Sequence, residues 1–342
     1  MDVSRGSPTL PLPLALTMGE PAGIGGDIAL AAWLSRDGLA PFFLIDDADR
    51  LTALADRLGL SVPVRPIVRA ADALSCFAEA LPVLHRPLAV PCRPGQADAA
   101  NAPAVVMAIR EAVTLVTAGE AAAVVTNPIN KKVLYDAGFA FPGHTEFLAS
   151  LAGVATPVMM LASPLLKVVP VTVHQSLKNA IDSLSIDAIV TAGRITARAL
   201  QRDFGIAQPR LAVAGLNPHA GENGSLGLED RDIVAPAVRI LCQEGVSATG
   251  PLPADTMFHA AARCRYDAAL CMYHDQALIP LKALSFDSGV NVTLGLPFVR
   301  TSPDHGTAFD LAGTGQARAD SLVAALTLAR AMVTSRRADS RA

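Results

Sequence analysis

Charge, aromatic rings and paired cysteines are all in short supply in this chain of 342 residues, and each shortage excludes a class of protein. Only 17% of the residues are charged and 4% aromatic, whereas 51% are hydrophobic and the mean hydropathy is +0.38. Intrinsic disorder requires the opposite balance, so the length implies one large or two medium folded domains. Lysine is scarce: Lys131, Lys132, Lys167, Lys178 and Lys282 stand against twenty-three arginines, and a net charge of −3 offers no basic field to a nucleic acid. The five cysteines, Cys76, Cys92, Cys242, Cys264 and Cys271, are odd in number and form no CxxC pair. That excludes a disulfide framework and a cysteine zinc site, and fits free thiols in a reducing cytoplasm.

Long unbroken apolar runs are missing too. Residues 1–16 carry Asp2, Arg5 and three prolines, unlike the continuous apolar stretch of a signal peptide, so a cytoplasmic location is expected and no membrane partner. Phe147 to Leu166 is uncharged and about as long as a membrane-spanning helix, yet Pro157, Pro164 and three hydroxyl residues interrupt it. It reads as a helix end followed by a buried parallel strand, PVMMLAS.

What the sequence does contain is alternation. Short β-branched or apolar runs, LPLALT (12–17), FFLI (42–45), AAAVVT (121–126), KVVPVTV (167–173), RLAVAG (210–215), DAALCMY (267–273) and VNVTLGL (290–296), each end in polar or glycine-containing sequence. Helical spacing follows several of them and is clearest over 103–119, 177–203 and 321–336, with Gly119 as a stop. Such alternation predicts an α/β protein with a largely parallel sheet. The last residues, SRRADSRA, read as a frayed tail.

Gly19 to Asp27, GEPAGIGGD, occupies the strand–turn–helix position of a phosphate-binding loop but fits neither phosphate motif: Ile28 stands where GxGxxG needs a small residue, and no Gly-Lys-Ser/Thr follows. The glycines serve either close helix–strand packing or a ligand loop.

Of seven histidines, His85 and His259 read as structural. His174, His219 and His274 lie just beyond the carboxyl ends of three separate predicted strands, the edge at which open α/β sheets bind ligands. Three neutral imidazoles there would suit a catalytic divalent metal, with positions left open for water or substrate. Asp275 and Glu222 are candidate partners for the rings. Lys282, in the apolar run ALIPLKAL, and Arg300, directly after a strand, suit an anionic substrate or, for Lys282, proton transfer; Asn291 and Asp255 are placed near them by sequence.

Read together, TMGEPAGIGGD, TNPINK, GHTEFLA, PVTVH, GLNPHAGENGSLGLED, GPLPADTMF, YHDQALIPLK and VNVTLGLPFVRTSPDHGTAFDLAG closely resemble the 4-hydroxythreonine-4-phosphate dehydrogenase family of pyridoxal phosphate biosynthesis, in order from about Leu12 to Leu328. The resemblance implies a two-domain α/β/α fold similar to isocitrate and isopropylmalate dehydrogenases and lacking a Rossmann phosphate loop. The expected division is 1–128 plus 285–342 for the cofactor-side domain and 129–284 for the substrate, metal and dimerisation domain. It further implies a homodimer whose active sites lie at the subunit interface. Histidines matching His174, His219 and His274 would come from both subunits to hold zinc, cobalt or magnesium. His144, Thr145, Lys282, Asn291 and Arg300 are the implied substrate contacts. Lys282, Asp255 and Asp275 are the candidates for proton transfer or ligand support, and His305, Gly306, Thr307 and Asp310 those for binding NAD or NADP.

The implied reaction oxidises 4-phosphohydroxy-L-threonine to a 3-oxo acid that loses carbon dioxide, with the metal as Lewis acid. The blocks depart from the family pattern at Gly26, at Gln175-Ser176 and at Pro303, beside the site. Those departures keep open a dehydrogenase of D-erythronate or D-threonate 4-phosphate, or of another diol. A zinc hydrolase and a non-catalytic binding protein are the alternatives from other classes.

Overall fold

The structure, a computed structural model, describes residues 12–339, so residues 1–11 of the segment read above as unlike a signal peptide lie outside the described residues, as does the end of the tail. The chain divides into two compact units, Met1–Ala140 with His305–Ala319, and Phe141–Asp304 with Asp320–Ala342.

In the first unit β1 (Leu14–Thr17), α1 (Gly25–Leu34), β2 (Phe42–Asp46), α2 (Ala48–Leu58), β3 (Val64–Ile67), α3 (Ala73–Cys76), β4 (Leu81–His85), α4 (Ala102–Thr117), β5 (Val124–Thr126) and α5 (Lys131–Asp136) follow in turn. Helices between strands return the chain to the same edge, so β3, β4, β2, β1 and β5 lie side by side and parallel. Leu14, Leu16, Phe42, Phe43 and Leu44 are fully buried between the helices. The helix over residues 99–117 is the one described helix long and apolar enough to cross a membrane. Val105, Ala108, Ile109 and Ala112 face inward at helical spacing, and α4 packs along β1, β2 and β5.

The second unit holds α6 (His144–Ala152), β6 (Val158–Ala162), β7 (Lys167–Pro170), α7 (Leu177–Ser183), α8 (Ile186–Phe204), β8 (Arg210–Ala214), α9 (Ala235–Gln243), β9 (Ser247–Leu252), α10 (Ala260–Arg263), β10 (Ala268–Cys271), α11 (His274–Ser285), β11 (Val290–Leu294), β12 (Arg300–Pro303) and α12 (Asp320–Asp339). Its strands run in the order β12, β11, β6, β7, β10, β8, β9. PVMMLAS is indeed a buried strand after a helix end, but β6 is antiparallel to both β7 and β11. The cause is Ser163, whose hydroxyl accepts from the N–H groups of Leu165 and Leu166 and closes a turn too short for a parallel crossover.

Three further expectations need correction. The helical pattern over 177–203 is two helices, because Ser176 and Ser185 each cap an N-terminus with their side chains and Leu184 between them is extended. Residues 285–304 and 320–342 belong with the second unit rather than the cofactor side, since β11 pairs with β6 and α12 packs on α8, β11 and β12; residues 129–140 belong with the first. The tail from Ser335 is helical as far as Asp339. Arg336 holds it there, donating to both oxygens of the buried Asp203 at 2.5 and 3.1 Å and to the carbonyl of Pro297 at 2.9 Å.

Arg202 shares the same carboxylate, so Asp203→Ala leaves two guanidinium groups without their anion. Breaking a buried pair of this kind costs about 3–5 kcal/mol, and denaturant unfolding of the variant should show a loss of that order; an unchanged midpoint would mean that Asp203 does not anchor α12.

Candidate active site

β7, β10 and β8 are adjacent and parallel, Val168 lying opposite Ala269 and Leu211 opposite Ala268, and the three histidines follow their carboxyl ends. His174 comes four residues after β7, His219 five after β8, and His274 is the first residue of α11. The rings of His174 and His274 are 6.0 Å apart between centroids. Two imidazoles bound to one ion at roughly 2.0–2.1 Å place their centroids roughly 4.5–5.5 Å apart, so this pair lies within about an ångström of the spacing that a shared divalent cation needs. The carboxylate of Asp275 lies 2.7 Å from His274 Nδ1 and fixes that ring, leaving Nε2 for a ligand.

His219 is held differently. His219, Ala220, Gly221, Glu222 and Asn223 all have positive φ, between 43° and 76°, a left-handed turn that costs non-glycine residues roughly 1–2 kcal/mol each. Asp230, 2% exposed, holds the entry to it, accepting from the N–H groups of Leu216 at 2.6 Å and Asn217 at 3.0 Å. The side-chain amide of Asn217 donates in turn to Glu229 and Asp230. Gly221 is required because a Cβ there would meet Asp230 at 3.2 Å in a left-handed backbone.

Within one chain the three histidines do not converge. Among the described residues, the one group of three such side chains with ligand atoms within 4.8 Å is Asp47, Asp49 and His85. That group is a helix cap: Asp47 accepts from the N–H groups of Asp49, Arg50 and Leu88, and His85 Nδ1 from that of Ala48, which gives His85 its structural role.

The implied substrate residues lie in the same unit. Thr145 and Glu146, at the start of α6 beside His144, line a cavity of about 270 Å³ with His174. His174, His274 and Asp275 line another of about 420 Å³. Lys282 pairs with Asp304 at 3.2 Å. Asn291 projects from β11 with a buried Oδ1 that has no hydrogen-bond partner among the described residues. Arg300 is 3% exposed at the start of β12 and donates to Thr293 Oγ1 at 3.0 Å; burial lowers its pKa to about 10, against the pull of the Glu146 carboxylate. It remains a cation at neutral pH. Asp255 sits exposed in a short turn after β9.

In the first unit the glycine turn packs against the segment 305–313. Ile24 N–H donates to the carbonyl of Thr307 at 3.0 Å, and a Cβ on Gly23 would stand 2.9 Å from that oxygen. Gly313 N–H donates to Asp27 at 2.8 Å and its carbonyl accepts from Arg57 at 3.1 Å. Close backbone approach therefore explains Gly23. Asp27, Arg57, Arg50 and Pro94 line a cavity of about 630 Å³ at the carboxyl ends of β1, β2 and β4.

Sequence reasoning missed Asp230, Asp304 and the role of Glu146. The signal for Asp304 was its place directly before His305; nothing in the spacing pairs it with a lysine twenty-two positions earlier. Asp230→Ala leaves the N–H groups of Leu216 and Asn217 without their acceptor, at about 1–3 kcal/mol each. Thermal unfolding should register the loss, and amide exchange should accelerate at residues 216–224; equal protection in the variant would remove Asp230 as the anchor.

A family model described as pyridoxal phosphate biosynthetic protein PdxA matches residues 39–329. A 4-hydroxythreonine-4-phosphate dehydrogenase of Bradyrhizobium diazoefficiens is 58% identical over 333 residues, covering 94% of this chain and 96% of that protein. One from Methylorubrum populi is 58% identical over 327 residues, with 93% of each covered. The crystal structure of 4-hydroxythreonine-4-phosphate dehydrogenase from Klebsiella pneumoniae superposes with a TM-score of 0.85 at 40% identity, covering 94% of this chain and 99% of that one. A terephthalate 1,2-cis-dihydrodiol dehydrogenase from Burkholderia xenovorans, 28% identical over 94% of this chain and 98% of its own, gives 0.63. Agreement of this extent, end to end in sequence and backbone, means that the chain belongs to the PdxA family, the 4-hydroxythreonine-4-phosphate dehydrogenases of pyridoxal phosphate biosynthesis.

Proposed function

We propose that this chain oxidises 4-phosphohydroxy-L-threonine with NAD or NADP to 2-amino-3-oxo-4-phosphooxybutanoate, which then loses carbon dioxide to give 3-amino-2-oxopropyl phosphate. The observation that carries the proposal is the 58% identity, over 94% of the chain, to a protein named for this substrate. The hydride leaves the carbinol carbon for the nicotinamide and the hydroxyl proton goes to a base. The carbon–carbon bond to the carboxylate then breaks and its electron pair forms an enolate, which takes up a proton at carbon.

Each residue has a task suited to its surroundings. Arg300, a buried cation oriented by Thr293, binds the phosphate or carboxylate of the substrate, with Thr145 on the wall shared with His174, His144 beside it at the start of α6, and Asn291 presenting its unpartnered oxygen to a donor. Lys282, held by Asp304, keeps an ammonium proton available at Nζ for the enolate. Asp255 is a second candidate for proton transfer, and Asp275 supports the His274 ring. His174, His219 and His274 would hold a zinc, cobalt or magnesium ion as neutral imidazoles, and such an ion, when bound, supplies Lewis acidity to the substrate hydroxyl.

The geometry of one chain suits His174 and His274 as a pair, and a homodimer with sites at the subunit interface would complete the set. Exposed Leu177 and Ile181 on α7 and Ile279 and Phe286 at α11, the elements that follow His174 and His274, support such an interface. His305, Gly306, Thr307 and Asp310 would bind the nicotinamide cofactor beside the 630 Å³ cavity, whose lining residues Asp27 and Arg57 grip Gly313.

Nicotinamide reduction is followed by absorbance with metal-loaded protein, 4-phosphohydroxy-L-threonine and, separately, D-erythronate 4-phosphate. Turnover of the amino acid, abolished by a chelator and restored by added metal, is the expected result. Turnover of the sugar acid alone would replace the proposal. Arg300→Ala should raise KM for the phosphorylated substrate about 10- to 100-fold, since a charge-assisted hydrogen bond is worth roughly 1.5–3 kcal/mol; an unchanged KM would remove Arg300 from substrate binding.

A further inference from the structure

Where strand pairing ends on the β8 side of the histidine edge, one side chain takes over from the backbone. The β10–β8 ladder stops at Leu270 opposite Val213, and the β10–β7 ladder at Cys271 opposite Pro170. The next residue of that chain, the fully buried Met272, still accepts at its carbonyl from the Thr172 N–H at 3.3 Å on the β7 side, and both its peptide groups also meet side chains. Its N–H donates to Gln276 Oε1 at 2.6 Å, and its carbonyl accepts from Thr172 Oγ1 at 2.8 Å. Gln276 is 8% exposed, and its Nε2 donates onward to the carbonyl of Gly215, the first residue after β8, at 2.7 Å.

The amide of Gln276 thus behaves as an inserted peptide unit. A parallel ladder would join Met272 to the β8 chain by a single bond, whereas here two bonds in series hold the two strand ends apart by the width of an amide. Every anchor lies close in sequence to a histidine. Met272 and Gln276 each stand two residues from His274, Gly215 four from His219, and Thr172 two from His174.

We infer that Gln276 is a positioning residue for the histidine set: its amide fixes the spacing of the His274 and His219 segments, and with it the affinity of the protein for a divalent cation. The inference rests on the proposal that these three histidines hold that ion. Both Gln276 groups are needed, the acceptor to orient the start of α11 and the donor to hold the β8 end. Glu at this position keeps the acceptor and turns a second oxygen against the Gly215 carbonyl. Met keeps the length and removes both bonds.

The test titrates metal-free, full-length protein with Co(II) and reads the affinity and the visible absorption of the bound ion, with circular dichroism reporting folding. Gln276→Met and Gln276→Glu should each bind Co(II) about 10- to 100-fold more weakly, the usual effect of losing support behind a metal ligand, and with an altered spectrum. Asp203→Ala, which loosens the same unit at α12, should bind as the unsubstituted protein does, separating positioning from general stability. Folded Gln276 variants with unchanged affinity and spectrum would overturn the inference, as would failure of both to fold, which would make Gln276 a folding residue. Single His174→Ala, His219→Ala and His274→Ala variants that bind Co(II) normally would instead overturn the metal proposal itself, and the inference with it.

Discussion

A left-handed turn of four non-glycine residues and one glycine does not persist unless its surroundings impose it, and at His219 the imposing group is the carboxylate of Asp230. Two consecutive N–H groups leaving β8 point at one buried anion, which turns the chain away from the sheet direction before Pro218. Much of the local sequence follows from that. Gly215 and Gly221 are small where side chains would collide with Ala220 or Asp230, and Gly227 is small where Asn217 and Glu229 crowd it. The run GLNPHAGENGSLGLED is therefore a packing solution around one carboxylate as much as a carrier of functional groups, and the strain held in it sits where a ligand edge needs a side chain aimed away from its strand.

Two kinds of electrostatic setting coexist in the second unit. His174 and His274 lie at a partly open edge beside two small cavities, whereas Arg300 sits inside with Thr293 at hydrogen-bond distance and the Glu146 carboxylate close enough to be felt. Lys282 lies between these extremes, two-fifths exposed and paired with Asp304. A solvated ammonium exchanges partners freely, while a buried guanidinium keeps its orientation, so the unit combines a fixed cation with an adjustable one.

The strands that position the histidines were legible because each is a short apolar run stopped by polar residues, a local pattern that the sheet itself demands. Their adjacency was not legible: β7, β10 and β8 are far apart in sequence, and only the folded register sets them side by side. The same limit explains the errors. Nothing in the apolar run VMMLA distinguishes a parallel from an antiparallel strand, a difference made by the turn that Ser163 closes after it. Continuous helical spacing over 177–203 masked two serine caps, because apolar periodicity records which face is buried and not whether the backbone is unbroken. Asp230, Asp304 and Gln276 escaped for a related reason, since a buried polar residue shows its purpose only through the partners it meets.

The excursion of residues 305–319 out of the second unit and back imposes an order of events on synthesis. Residues through Ala140 leave the ribosome long before Thr307 and Gly313, so the Ile24 amide and one oxygen of Asp27 must wait, solvated, for partners made almost three hundred residues later. Every strand of the second unit is translated in that interval. The amino-terminal half therefore reaches its final hydrogen-bond inventory only when the carboxyl-terminal one is nearly complete, and no single cut in the polypeptide yields two intact pieces.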